Sequence, residues 1–257
     1  MTAPRPMGDT RFDEAAAAQM ETLVADLGQM YQERNEALRE VVAAHQDTLY
    51  KLALAAEYKD DDTGVHIVRI GVLAEALALA LGQSRTWSAM LRRAAPMHDI
   101  GKIGIPDAIL KKPGGFTREE REEMNKHSEI GAEILGQSRV PLFQMAAEIS
   151  LFHHERFDGK GYPKGVAGTD IPLVGRIVAV VDFFDALSMA RCYRPAFFDE
   201  QVKSMLLNER GNAFDPRIVD VLMENWESFV ALRDRVTESR ITFRDLIQSP
   251  GHEWSLT

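Results

Sequence analysis

The chain has 257 residues, of which 45% are hydrophobic and 27% charged, a balance typical of folded domains and too apolar for a disordered chain. One cysteine, Cys192, excludes a disulfide framework and a thiolate zinc site, and a net charge of −9 argues against a nucleic-acid surface while leaving room for a local basic pocket. No apolar run reaches the roughly 18 residues of a membrane span and the first residues lack a signal-peptide core, so a cytoplasmic protein is expected.

Residues 1–10 read as a frayed leader. From Arg11 to about Lys59 there is no proline and only Gly28, in a composition of good helix formers. Met20, Leu23, Leu27, Met30, Arg34, Ala37, Val41 and Ala44 alternate at spacings of three and four, a heptad seam interrupted by Arg34. A second stripe runs through Leu38, Val42, His45, Leu49 and Leu52. Two readings stay open: one arm of a helical bundle, or a dimerising signal helix. Next, Ile67, Ile70, Ala74, Leu77 and Leu81 make the apolar face of a helix that Gly82 stops. Thr86 to Met97 reads as another, which Pro96 should kink or end just before His98 and Asp99. Residues 101–116 form a loop. Thr117 to Glu120 is a capping box opening a helix to about Leu135, with Met124, His127, Gly131 and Ile134 facing inward. A helix over 142–155 ends in His153 and His154, and a Gly/Pro-rich loop follows over 157–172. Gly175 to Met189 is an unusually apolar helix. Two more are expected over 199–210 and 216–233, and the last twenty residues are weakly patterned. The expected fold is all-α.

His66, His98, His127, His153 and His154 fall on or at the ends of apolar helices. One such histidine is ordinarily a satisfied core residue. Five, with two adjacent and one followed by Asp99, are harder to bury unless something satisfies them. A metal cluster does so, because neutral imidazoles bind divalent ions and carboxylates can bridge two of them. Asp182 lies mid-helix in VAVVDFFDAL with Asp185 three residues on. It is either a salt-bridge partner or a ligand, and its apolar setting favours the ligand.

The segment HDIGKIGIPDAIL (98–110) resembles the paired motif of the HD phosphohydrolase superfamily. HHERFDGKGYP (153–163) resembles the extended motif of its HD-GYP subfamily, whose members hydrolyse cyclic di-GMP. The likeness runs from about Ala56 to Pro216. It implies an HD-domain helical bundle behind a long N-terminal helix, divided as leader and helix (1–55), catalytic domain (56–230) and tail (231–257). It further implies that His66, His98, Asp99, His127, His153, His154 and Asp182 hold the metals, with Asp99 bridging them. Two or three divalent ions are expected, iron or manganese by donor type, with nickel, cobalt or zinc possible in a purified sample. Such a pair holds a bridging hydroxide for in-line attack on phosphorus, yielding pGpG and, on further cleavage, GMP. Lys102 is implied as a catalytic, phosphate-meeting residue, its alternative being a solvated loop lysine. Tyr162, Asp185, Arg191 and Arg194 are implied on the substrate side. Asp62 is either the ligand of a third ion or, with Asp60 and Asp61, an N-terminal helix cap. The loop of Gly159, Gly161, Tyr162 and Pro163 is implied to shape the pocket and to contact diguanylate cyclase domains. A homodimer through the N-terminal helix is the other expected partner.

Two departures from the family pattern stand out. Ser128 follows His127 where proline is usual, and Ser188-Met189-Ala190 precede Arg191, with Cys192 after it, so the pocket edge could grip guanine less tightly. The alternatives to an enzyme are a non-catalytic cyclic di-GMP sensor or partner-docking module, and a hydrolase of another nucleotide. All seven metal residues are present, which favours the enzyme, and the intact GYP loop argues against the third reading.

Overall fold

The computed structural model describes residues 10–59, 64–189 and 196–239. Among these, apart from one isolated bridge between Arg210 and Phe214, the regular structure is helical. The first helix, α1 (Thr10–Lys59), meets no proline, and a single interior glycine costs only about 1 kcal/mol. Local pairs support it, such as Gln29 donating to Glu33 at 2.8 Å and the Arg34 guanidinium lying over Tyr31. Residues up to Asp47 form one compact unit and those from Thr48 onward another. In the first unit every described side chain from Glu14 to His45 is exposed, Met20 at 64%. The heptad seam is therefore an uncovered apolar stripe.

In the second unit, α2 (Val65–Ala80) is buried continuously from His66 to Ala78. A helix this apolar on all sides belongs at the centre of a bundle. It packs against α3 (Arg85–Ala94), α8 (Leu173–Ser188), α10 (Pro216–Glu224) and α11 (Trp226–Glu238). Leu73 and Leu77 are fully buried here, where truncation to alanine costs about 2–5 kcal/mol. Between these lie α4 (Asp107–Leu110), α5 (Arg118–Asn125), α6 (His127–Gly136), α7 (Pro141–Phe152) and, after α8, α9 (Asp199–Asn208).

Three expectations need correction. The helix over 117–135 is two helices. Its capping box forms as expected, but the chain tightens at Lys126, whose N–H bonds Glu123 O at 3.2 Å, while the His127 ring donates to Met124 O at 2.7 Å. A side chain inserted into the backbone ladder breaks the helix there, and Ile134, expected inside, is 48% exposed. The helix of 142–155 ends at Phe152, so both histidines lie in the turn beyond it. The helix expected over 216–233 is likewise two, α10 and α11 parted at Asn225, and α11 runs on to Glu238 with Leu232 and Val236 in the core. Its pattern is masked by Arg233, which is buried against Phe184 and Asp199. Pro96 acts as expected: α3 stops at Ala94 and a 3₁₀ turn, Ala95–Met97, carries the chain to His98.

Asp62, Arg191 and Arg194, with Asp60, Asp61 and Cys192, lie outside the described residues. Among the described residues no helix is long and apolar enough to cross a membrane.

Candidate metal centre

Five elements converge on one point. His66 stands in the first turn of α2, His98 and Asp99 between two 3₁₀ turns, and His127 at the start of α6. His153 and His154 follow α7, and Asp182 projects from α8. Small residues allow this crowding. A Cβ on Gly131 would meet the Ser150 hydroxyl, and one on Gly175 would stand 2.8 Å from Phe152 Cβ, so α6, α7 and α8 approach at nearly backbone distance.

Four of the rings are oriented alike. Each commits Nδ1 to an acceptor behind it: His66 to Asp185 Oδ2 (2.7 Å), His98 to Ala95 O (3.0 Å), His127 to Met124 O (2.7 Å) and His153 to Ser150 O (3.0 Å). A carbonyl only accepts, so Nδ1 carries the proton and Nε2 presents its lone pair to the centre. There the Nε2 atoms of His127 and His153 lie 3.4 and 3.6 Å from Asp99 Oδ1, and that of His98 lies 3.2 Å from Asp99 Oδ2. Asp182 Oδ1 is 3.6 Å from His66 Nε2 and 3.9 Å from His98 Nε2. The donors fall into two groups, Asp99, His127, His153 and His154 in one, and His66, His98 and Asp182 in the other, each with its ligand atoms within 4.8 Å of one another. The Asp99 carboxylate faces both groups, one oxygen to each.

Their electrostatics suit cations. Burial pushes His127 down to about 4 and, with His153 beside it, holds His154 well below the ordinary imidazole range, so both are neutral at pH 7. Burial opposes charge on Asp99, yet the Lys102 ammonium at 2.8 Å and the His98 ring outweigh it and hold the carboxyl well below its usual range. His98 Nε2, His153 Nε2 and Asp99 Oδ1 are buried and lack a hydrogen-bond partner. Leaving each unsatisfied costs about 1–3 kcal/mol, so converging lone pairs of this kind need a shared electrophile. Imidazole nitrogens and carboxylate oxygens, with no sulfur among them, fit divalent metal ions.

Behind His66, Arg69 donates to both oxygens of Asp185 at 2.5 and 2.9 Å. Burial raises the Asp185 carboxyl, but His66 and Arg69 overcome that and keep it ionised. Asp185 is 1% exposed. Its oxygens are occupied by Arg69 and His66, so its place is behind a ring of the centre and away from the substrate side where it was expected. Sequence reading missed Arg69; a lone arginine one turn after His66 in an otherwise apolar helix is the signal that could have found it.

The HHE turn and the following loop hold each other. Glu155 Oε1 accepts from the backbone of Lys164 (2.6 Å) and Gly165 (3.1 Å), and Tyr162 N–H donates to His154 O. A Cβ on Gly161 would collide with the backbone of Glu155 and Arg156, so glycine is required for this approach. The Tyr162 ring consequently stacks on His154, centroids 4.8 Å apart. A cleft of about 690 Å³ opens from the centre, lined among others by His154, Tyr162, Asp182, Phe183, Asn208 and Phe214. Phe183 and Phe214 meet edge to face at 5.0 Å, and neither drew notice in the sequence because each continues an apolar helix pattern or a turn.

The family described as HD domain matches residues 17–218. Over 187 residues the chain is 43% identical to 3'3'-cGAMP-specific phosphodiesterase 2 of Vibrio cholerae, covering 73% of this chain and 36% of that protein. It is 45% identical over 186 residues to the cyclic di-GMP phosphodiesterase response regulator RpfG of Xanthomonas campestris, covering 72% and 49% respectively. A solved cyclic GMP-AMP-specific phosphodiesterase of V. cholerae, V-cGAP3, shares the fold with a TM-score of 0.57 at 17% identity, over 75% of this chain and 53% of that one. The chain thus spans about a third to a half of the length of the relatives it matches.

Proposed function

This chain belongs to the HD domain family, and from that premise we propose that it is a metal-dependent phosphodiesterase that opens cyclic di-GMP to linear pGpG. The observation that carries the reading is the shared orientation of four imidazoles, Nδ1 tied back and Nε2 directed at Asp99 and Asp182. His66, His98, Asp99, His127, His153, His154 and Asp182 would hold two divalent ions, iron or manganese by donor type, with Asp99 between them. When bound, such ions supply Lewis acidity and an activated water. In the reaction, water oxygen bonds to phosphorus, the P–O3′ bond breaks, and the leaving 3′ oxygen takes up a proton.

The chain's own groups bind and orient. Lys102, held at Asp99, presents its ammonium where a phosphoryl oxygen would lie beside that carboxylate. Tyr162, stacked on His154, walls the cleft and excludes water from one side. Phe183 and Phe214 offer an apolar bed for a purine face. Arg191 and Arg194 remain proposed phosphate or guanine contacts, and Asp62 a proposed third-ion ligand; GMP as a later product and a cyclase contact through the Gly159–Pro163 loop belong to the same reading. The uncovered seam of α1, from Met20 to Val41, supports a homodimer through that helix in a cytoplasmic signalling protein.

The test is anaerobic incubation of metal-loaded protein with cyclic di-GMP and, because relatives are named for it, 3',3'-cGAMP, followed by chromatography. Formation of pGpG supports the reading. Binding without turnover would make the chain a sensor, and turnover of the mixed dinucleotide alone would reassign the substrate.

A further inference from the structure

The segment carrying Asp99 and Lys102 continues as a 3₁₀ turn, Ile100–Gly104. Turns of this kind end in carbonyls with no partner inside the turn, which attract cations. Here the cation comes from far away in sequence. Lys59, the last residue of α1, donates to Ile103 O at 2.7 Å, Ile105 O at 2.8 Å and Lys102 O at 3.3 Å, with Asp107 Oδ1 at 3.5 Å. An ammonium has three N–H donors, and three carbonyls gather round this one.

We infer that Lys59 is a positioning residue for the Asp99–Lys102 segment, acting through the backbone carbonyls of Lys102, Ile103 and Ile105; the inference rests on the phosphodiesterase reading for its effect on turnover. Packing holds Ile105, which is 1% exposed, and seats Gly104 against Ile130, but the turn has few hydrogen bonds of its own at its far end. Its own bonds are Lys102 N–H to Asp99 O and Ile105 N–H to Lys102 O, at 3.0 and 3.1 Å. Ile103 is 42% exposed, so packing does not anchor it. Without the Lys59 ammonium, the carbonyls of Ile103 and Ile105 turn to water, Lys102 O keeps only the Ile105 N–H, and the backbone under Lys102 gains freedom. The Lys102 side chain then spends less time at Asp99. Among the described residues Lys59 bonds only to Lys102 O, Ile103 O, Ile105 O and Asp107, none of them a donor of the metal centre, so metal content is expected to stay as it is.

The test uses the full chain carrying Lys59→Met, Lys59→Arg and Lys102→Ala, alone and combined. Amide hydrogen exchange needs no turnover. Lys59→Met should speed exchange at the amides of Lys102 and Ile105 by roughly tenfold and leave α2 and α8 unchanged. Unchanged protection at those two amides overturns the inference whatever the activity. With cyclic di-GMP, Lys59→Met should lower kcat/KM by about tenfold at native metal content, and Lys59→Arg should recover part of it. Added to Lys102→Ala, Lys59→Met should cost nothing further. Losses that multiply, or a loss of bound metal, would make Lys59 a general structural residue and overturn the assignment. Should Lys59→Met melt below the assay temperature, exchange and turnover of all variants are compared at a temperature below its melt. A native chain inert toward cyclic di-GMP would sink the phosphodiesterase reading alone, and the exchange result would still decide the role of Lys59.

Discussion

Gly101 and His127 touch backbone to backbone: a Cβ on Gly101 would overlap the His127 carbonyl oxygen and stand 2.5 Å from the Gly131 nitrogen. This contact sets Asp99, two residues before Gly101, against the His127 ring. Gly101→Ala should therefore destabilise the fold by about 1–3 kcal/mol through forced backbone movement and should lower bound metal. Gly115→Ala, where nothing lies within 4 Å, is the matched control and should shift stability by less than about 0.5 kcal/mol. Thermal melts with elemental analysis of both variants decide the point; equal behaviour would mean the segment yields freely.

Metal removal should loosen the bundle as well as stop chemistry. The seven donors come from separate helices and turns, and unpaired donors such as His98 Nε2 and Asp99 Oδ1 are buried. At free metal near a thousand times its dissociation constant, binding adds about 4 kcal/mol. Chelation should lower the melting temperature of the native chain, and Asp99→Ala should remove most of that response together with turnover. A melting temperature indifferent to chelator would confine the metals to catalysis.

Arg69 and Asp185 form a buried pair whose separation is costly. Arg69→Met leaves the Asp185 carboxylate buried with His66 alone, a loss of about 3–5 kcal/mol. Adding Asp185→Asn should restore much of the stability while leaving His66 less firmly oriented and metal binding weaker. Urea denaturation with metal titration separates the two effects. Additive losses in the double variant would contradict a direct pair.

The α1 stripe should be where two copies meet. Leu23→Lys with Leu27→Lys places charge on residues now 55% and 46% exposed, where a monomer would feel almost nothing. Light scattering should show the mass halve, with unchanged helicity in the second unit. An unaltered mass puts any interface elsewhere.

The order of chemistry-bearing residues along the chain was legible without coordinates. HDIGK, HHE and DGKGYP carry donor types and spacing that few other arrangements share, and the all-α class followed from successive helical segments, such as the apolar face of Ile67, Ile70, Ala74 and Leu77. Helix ends were less legible. His127 broke a helix because its own ring competed for a backbone carbonyl, and Arg233 hid the last turns of α11 because a buried arginine reads as a surface one.

What the sequence by itself determined was the inventory: all-α elements, seven candidate donors in order, a heptad seam. Tertiary structure alone decided how those donors are aimed. The tautomers of four imidazoles depend on acceptors behind them, three of them backbone carbonyls and the fourth Asp185, which Arg69 grips. The seat of Lys102 depends on Asp99 and on the carbonyls that Lys59 gathers. Lone-pair direction and long-range hydrogen bonds are properties of packed geometry, and residue spacing along a chain does not encode them in any pattern that can be read locally.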